Sequence, residues 1–276
     1  MYIRKPAVAG SFYPGDRDKL QKAVSSYLTQ AGDVSDELNN HRVIGIVSPH
    51  AGYIYSGPVA AYGFNYLAKE NFQRYVVLAP SHRGRFNGAS IIPEGVYRTP
   101  LGDAEVDYDM GKRLEKRNCF GFIKEAHDME HSLEVQIPFL QTIKPNAKIV
   151  PIVIGTTDIN ICKAIGETIA EEINSLDKEY GIIISTDLSH YHAYNEAVKK
   201  DNGFINALES FEEKRVQDAI LSGKCEACGE GAVLAGISLS KKLGAKKLKV
   251  IKYANSGDTA GPKDQVVGYL SALILG

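Results

Sequence analysis

Apolar positions along the chain fall into two patterns: short continuous runs, and longer segments with an apolar residue every three to four positions. The short runs are rich in β-branched residues and are bounded by turn residues, as expected of buried strands. These predicted strands cover residues 43–47, 75–79, 89–92, 149–154, 182–184, 248–253 and 266–274. The periodic segments predict helices within 16–28, 56–69, 105–117, 159–173, 195–221 and 228–243, and the polar stretch 32–41 predicts a surface loop. Because strands and helices alternate from end to end, the pattern predicts one layered α/β domain over residues 1–276.

Three of the predicted strands lead into a histidine. The strands at 43–47 and 75–79 are followed by Ser-Pro-His and Pro-Ser-His, and the strand at 182–184 is followed less strictly by Ser-Thr-Asp-Leu-Ser-His. The histidines are His50, His82 and His190. Ligands in open α/β sheets bind outside the carboxyl ends of the strands. One such histidine would more often bond to the backbone, but three at matching positions predict a metal or catalytic site.

Cys228 and Asp187 extend this predicted site. Cys228 directly precedes an apolar helix, whose positive end is expected to favour the metal-binding thiolate. We therefore predict His50, His82 and Cys228 as metal ligands, a set that suits Fe(II), copper or zinc. Asp187 stands three residues before His190, and this spacing suits a carboxylate that orients an acid/base imidazole, although a helix cap is the alternative for Asp187. The pair Cys225 and Cys228 has C-x-x-C spacing, which is a weak signal without a second pair.

Residues 127–131 read HDMEH and match the H-x-x-E-H motif of inverted zinc peptidases. The motif predicts a zinc hydrolase only if His127 and His131 share one helical face, with Glu130 between them. Here the motif straddles a loop and a helix entrance, so this hydrolase is an alternative and not the leading hypothesis. His131 and Glu134, at that helix entrance, and Tyr55, which follows the first histidine strand, are predicted to contact a substrate.

Composition narrows the class of protein. The formal charge of the 276 residues is −1 and there is no basic block, so nucleic acid is not an expected partner. No apolar run approaches the roughly 18 residues that cross a bilayer, and residues 1–10 lack the apolar segment of a signal peptide, so we expect a cytoplasmic protein. The four cysteines are too few for a disulfide scaffold, and the chain has no G-x-S-x-G, P-loop or dinucleotide motif.

Several of these motifs, in this order, make the chain resemble the Memo (mediator of cell motility) family. They are PAVAGSFYP at 6–14, PHAGYIYSG at 49–57, PSH at 80–82, EHSLE at 130–134, STDLSH at 185–190 and CG at 228–229. The resemblance implies a central mixed β-sheet flanked by helices, related to class III extradiol ring-cleaving dioxygenases. Those enzymes hold non-haem Fe(II) with two histidines and a carboxylate.

The resemblance also implies roles for single residues. His50 and His82 would stand at the two metal histidines, and Cys228 would replace the carboxylate ligand. Asp187 and His190 would lie beside the metal, with His190 near the acid/base position. A thiolate in place of a carboxylate shifts the preference toward copper or zinc. Memo-family proteins are variously described as copper- or iron-binding redox proteins, as phosphotyrosine-peptide binders in animals, and in microbes as companions of a radical-SAM enzyme.

Two functional hypotheses follow from the sequence. The leading one is a metal-dependent oxidoreductase with redox or oxygen chemistry on a small molecule. The competing one is a non-catalytic module that binds a ligand or phosphopeptide in a vestigial dioxygenase-type pocket.

Overall fold

The computed structural model describes residues 2–32 and 41–276, so most of the predicted loop at 32–41 lies outside the described residues. The strands are β1 Tyr2–Arg4, β2 Val43–Ser48, β3 Arg74–Pro80, β4 Ala89–Ile91, β5 Gly95–Thr99, β6 Gly102–Glu105, β7 Phe120–Gly121, β8 Lys148–Ile154, β9 Gly181–Ser185, β10 His190–His192, β11 Lys247–Asn255 and β12 Val266–Leu275. The helices are α1 Arg17–Ala31, α2 Tyr53–Lys69, α3 Tyr108–Leu114, α4 Lys124–Asp128, α5 His131–Glu134, α6 Gln136–Ile143, α7 Ile159–Leu176, α8 Tyr194–Glu209, α9 Glu213–Leu221, α10 Glu230–Lys242 and α11 Ser256–Thr259.

The main sheet is mixed, with strand order β10-β12-β2-β9-β3-β8-β4-β7, and β11 pairs with β12. Its centre is parallel: β2 pairs with β9, β9 with β3 and β3 with β8. On one side β12 runs antiparallel to β2, and on the other β4 runs antiparallel to β8. The predicted α/β class with a mixed sheet is therefore confirmed.

Alternate residues of the central strands feed two hydrophobic cores, one on each face of the sheet. In β9, Ile182 and Ile184 belong to one core, whereas Ile183 belongs to the other. This alternation follows from the pleat, which points successive side chains to opposite faces. The first core is covered mainly by α7 and α10 and the second by α1, α2 and α6. Burial on both faces explains why these strands read as continuous apolar runs.

Some boundaries differ from the predictions for local reasons. Helix α2 begins at Tyr53, ahead of the predicted start at 56, so Pro58 lies inside the helix near its first turns. Helix α3 begins only at Tyr108, because the Asp107 side chain caps it and the preceding residues form β6. The connection between the predicted strands at 248–253 and 266–274 contains α11, which a capping box between Asn255 and Asp258 stabilises.

A small second sheet, of order β1-β5-β6, was not predicted. Its strands are three to five residues long and carry no continuous apolar run, so hydrophobic periodicity does not mark them. Among the described residues, no helix combines the length and the apolar character needed to cross a lipid bilayer.

Candidate metal centre

The carboxyl ends of β2, β9 and β3 meet at one edge of the sheet, since these parallel strands are neighbours. Pro80 closes β3 and Pro49 directly follows β2, so the chain leaves the sheet there. His50 and His82 each lie two residues beyond the end of their strand. The topology therefore brings these two predicted residues to the same place.

His131, the first residue of α5, completes a group of three imidazoles. One ring nitrogen from each of His50, His82 and His131 lies within 4.8 Å of the others. The ring centroid of His50 lies 5.2 Å from that of His82 and 5.5 Å from that of His131. The rings of His82 and His131 are stacked, with their centroids 4.6 Å apart. Such a group has the composition and spacing to hold a metal ion.

Ser185 determines which nitrogen of His50 is free. The Ser185 hydroxyl donates to the carbonyl of Ser132 at 2.7 Å and accepts from Gln136 Nε2 at 3.0 Å. With its proton used, Ser185 Oγ accepts from His50 Nδ1 at 2.8 Å. His50 Nε2 therefore carries the lone pair that a metal ion requires.

Glu130 orients His82. Its carboxylate accepts from His82 Nδ1 at 2.9 Å and from the His82 backbone N–H at 2.6 Å, and it lies 3.5 Å from His131 Nδ1. Burial raises the pKa of Glu130, but the hydrogen bonds from His82 and Ser132 lower it more, to about 2. The group is thus an ionised acceptor behind the imidazoles, the usual arrangement of carboxylate, histidine and metal.

Burial also keeps two of the imidazoles neutral. It lowers the pKa of His131 to about 4, and burial together with the neighbouring histidines holds the pKa of His50 well below its usual value. Neutral imidazole is the form that binds metal. His50 and His131 are therefore ready to ligate at neutral pH.

The Cys228 sulfur lies 3.1 Å from His50 Nε2 and accepts a hydrogen bond from the Asp187 backbone N–H at 3.3 Å. Among the described residues, the group of mutually close donors contains His131 and not Cys228. Burial and the nearby Asp187 carboxylate raise the pKa of the Cys228 thiol, so the helix end does not by itself produce the expected thiolate. Ligation by Cys228 stays a prediction.

Asp187 is buried beside His50. Its Oδ1 accepts from the His50 backbone N–H at 2.7 Å, and its Oδ2 lies 3.9 Å from His50 Nε2. Burial raises the pKa of Asp187 to about 7. In the described part of the chain no hydrogen bond joins Asp187 to His190, so the expected direct orientation of His190 by Asp187 is not seen.

A cavity of about 430 Å³ opens beside the histidines. Its lining includes the predicted residues Tyr55, His131, Asp187 and His190. Phe12, from the N-terminal segment, also lines it and lies 4.9 Å from the His131 ring, centroid to centroid. Burial lowers the pKa of His190, so this side chain is neutral at the cavity wall.

The structure places Glu134 and His127 elsewhere. Glu134 is fully buried in an ion pair with Arg4 and accepts a hydrogen bond from Tyr13, and it does not line the cavity. His127 is fully buried, 3.1 Å from Ser90 Oγ. Its helix α4 ends before α5 begins, so the H-x-x-E-H residues do not share one helical face, as the sequence indicated.

A family model described as Memo-like protein matches residues 4–273. The chain belongs to the Memo-like family. Relatives named MEMO1 family protein are 38% identical in Sulfurisphaera tokodaii and 39% identical in Sulfolobus acidocaldarius, over 98% of both chains in each case. The relative from Thermoplasma volcanium is 37% identical over 98% of this chain and 97% of its own. The predicted family is therefore confirmed.

This Memo-like chain also shares its fold with a solved structure, that of uncharacterized protein JW3007 from Escherichia coli K12. The TM-score is 0.56 at 15% identity, and the match covers 84% of this chain and 100% of the other. At this identity the likeness concerns the fold alone. It leaves the expected relation to extradiol dioxygenases a prediction.

Sequence reasoning misses that His131 and Glu130 lie beside His50 and His82 in this Memo-like chain. It predicts a substrate contact for His131 and assigns Glu130 a chemical role only within the peptidase motif. The strand-end pattern does not detect His131, because this residue begins a helix. The adjacent pair Glu130-His131 was the available signal, since a buried carboxylate beside a histidine often supports a metal site.

Proposed function

We propose that this Memo-like protein binds a redox-active transition metal ion, iron or copper, and acts as an oxidoreductase on a small molecule held in the 430 Å³ cavity. The observation that carries the proposal is the convergence of the His50, His82 and His131 nitrogens within 4.8 Å at the edge of that cavity. The metal, when bound, supplies a Lewis acid and a one-electron donor or acceptor.

The donor set supports this choice of metal. Imidazole nitrogens suit iron, copper, nickel and zinc, and a sulfur donor adds preference for the softer ions. Cys228, with its sulfur 3.1 Å from His50 Nε2, is the proposed further ligand. Binding would have to displace the thiol proton, because burial raises the pKa of Cys228.

Asp187 and His190 are the proposed proton-handling residues. Both line the cavity, and the pKa of Asp187, about 7, lets this carboxyl group hold or release a proton near neutral pH. Tyr55 and Phe12 are aromatic residues of the cavity lining, and Phe12 lies against the His131 ring. These aromatic side chains would contact an apolar part of the ligand.

The first test is metal content. Untagged protein is purified, its metals are quantified, and the site is examined by electron paramagnetic resonance. We expect close to one iron or copper per chain, and loss of that metal in His131→Ala. His41→Ala is the matched control, since His41 contacts Lys247 and lies outside the three-histidine group.

The outcomes separate the hypotheses. Stoichiometric zinc, with no iron or copper, would contradict the redox proposal but keep the metal site, since three histidines also hold catalytic zinc. No metal above trace, with His131→Ala unchanged in ligand binding, would support the non-catalytic module. If metal is present, Asp187→Asn is expected to slow ascorbate-driven oxygen uptake by about tenfold or more without loss of metal.

A further inference from the structure

A second cavity, of about 450 Å³, lies at the carboxyl ends of β3 and β8, against the start of α10. Its lining includes Arg85, Cys228 and Gly231. Cys228 lines this cavity, whereas Asp187 and His190 line the other one. The metal centre thus lies next to two separate cavities, and only one of them enters the proposed function. We call the second one the Arg85 cavity.

Among the described residues that line the Arg85 cavity, one side chain is charged, and it is a cation. None of these residues is an aspartate or a glutamate. Throughout residues 2–32 and 41–276, Arg85 has neither an ion pair nor a hydrogen bond with another residue. Its guanidinium group is therefore available for a ligand, and its fork of N–H donors matches the oxygens of a carboxylate or phosphate.

The backbone adds donors on another side of the cavity. Helix α10 has Gly229 at its N-cap and no side-chain cap, and Gly231 of its first turn lines the cavity. The first amides of a helix have no partner within the helix and attract anions. The unpaired cation and the uncapped helix therefore point to the same class of ligand.

We propose that the Arg85 cavity binds the oxyanion group of a small molecule, a phosphate or a carboxylate, on the Cys228 side of the metal centre. Arg85 forms the charge-assisted hydrogen bonds, and the first backbone amides of α10 donate to the same group. The volume suits a small metabolite. This site does not require the metal to be redox-active or even bound.

The test is equilibrium dialysis of the full-length protein against radiolabelled inorganic phosphate, and separately against acetate, at low ionic strength. We expect one site per chain for at least one of the two anions. Arg85→Gln is expected to weaken it by about tenfold or more, because it removes the cationic donors to the anion. Arg17→Gln, which makes the same charge change at an exposed residue of α1, is the matched control and is expected to change binding by less than about twofold.

The variant His131→Ala distinguishes an anion bound in the Arg85 cavity from an anion bound to the metal. Anion binding that survives in His131→Ala and is lost in Arg85→Gln supports the proposal, whatever the metal assay shows. Binding that disappears with the metal and persists in Arg85→Gln would place the anion on the metal and overturn it. No binding of either anion to the wild-type protein would overturn it as well.

Discussion

At the scale of single residues, the most informative side chain is Glu130. It is fully buried, yet its pKa of about 2 keeps it ionised, because it accepts hydrogen bonds from His82 and Ser132. A carboxylate behind a ligating imidazole holds the ring orientation and the tautomer. Glu130 thus links two of the three histidines to one acceptor.

Glu130→Gln is expected to weaken metal binding by about 10- to 100-fold, the usual loss when such a partner is removed. Competition with a chromophoric chelator measures this affinity. Glu125→Gln is the matched control, since Glu125 is exposed on the neighbouring helix α4. Equal affinities in Glu130→Gln and wild type would show that the carboxylate does not orient the ligands.

The buried His127 affects the stability of the protein and does not belong to the three-histidine group. Burial lowers its pKa from 6.5 to about 3 in the folded protein. Between these values the unfolded chain binds a proton that the folded chain does not, so His127 lowers the stability as the pH falls below about 6.5.

We therefore expect the free energy of unfolding of the wild type to lose up to about 1.4 kcal/mol per pH unit through His127 alone between pH 6 and 4. His127→Gln removes this titration, so its stability should depend less on pH in that window. Urea unfolding at pH 8, 6, 5 and 4 gives both curves. Parallel curves for the two proteins would contradict the assignment.

At the scale of elements, α7 and α10 pack side by side over one face of the sheet. Gly166 of α7 makes their close approach possible, because a Cβ there would lie 2.2 Å from the carbonyl oxygen of Ala235 and 2.7 Å from the Leu239 nitrogen, both in α10. These are backbone atoms, so a rotamer change cannot relieve the clash. Since α10 carries Cys228 just before its start, the packing also positions that end of the site.

Gly166→Ala is expected to destabilise the protein by about 1–3 kcal/mol, because the two helices must separate. Helix propensity alone would predict a gain of about 1 kcal/mol, so the sign distinguishes the two effects. Chemical denaturation measures the difference. Gly121→Ala, where a Cβ meets no atom within 4 Å, is the control for a glycine without contacts.

At the scale of the whole molecule, the N-terminal segment packs against residues 127–134. Arg4 forms a buried ion pair with Glu134 and donates to the carbonyls of His127 and Glu130. Glu134 in turn accepts from the backbone N–H groups of Ala7 and Val8. These contacts join the first residues to the segment that supplies Glu130 and His131.

Arg4→Met is expected to cost about 3–5 kcal/mol of stability, since it leaves the Glu134 carboxylate buried without its cation. Adding Glu134→Gln removes that charge and should recover part of the loss. Denaturant unfolding of both variants gives the comparison. If Arg4→Met alone were as stable as the wild type, the ion pair would contribute nothing to the stability.

The amino-acid sequence by itself was enough to predict the central strands, two of the three clustered histidines and the family. Continuous apolar runs predicted the central strands, because burial on both faces requires apolar residues at every position. His50 and His82 were predicted for a related reason, since proline ends the pairing and the next residues must leave the sheet at its carboxyl edge. Six motifs between residues 6 and 229, taken in their order, indicated the family.

Tertiary structure alone decided the rest. No local pattern relates His131 to His50 and His82, which lie 49 or more residues earlier in the chain, and only folding brings its ring against theirs. The pKa values of Asp187 and Cys228 likewise depend on burial by distant segments, which outweighs the local helix end. Periodicity reports which face of an element is buried, whereas the site depends on which elements become neighbours, and that is set by packing across the whole sheet.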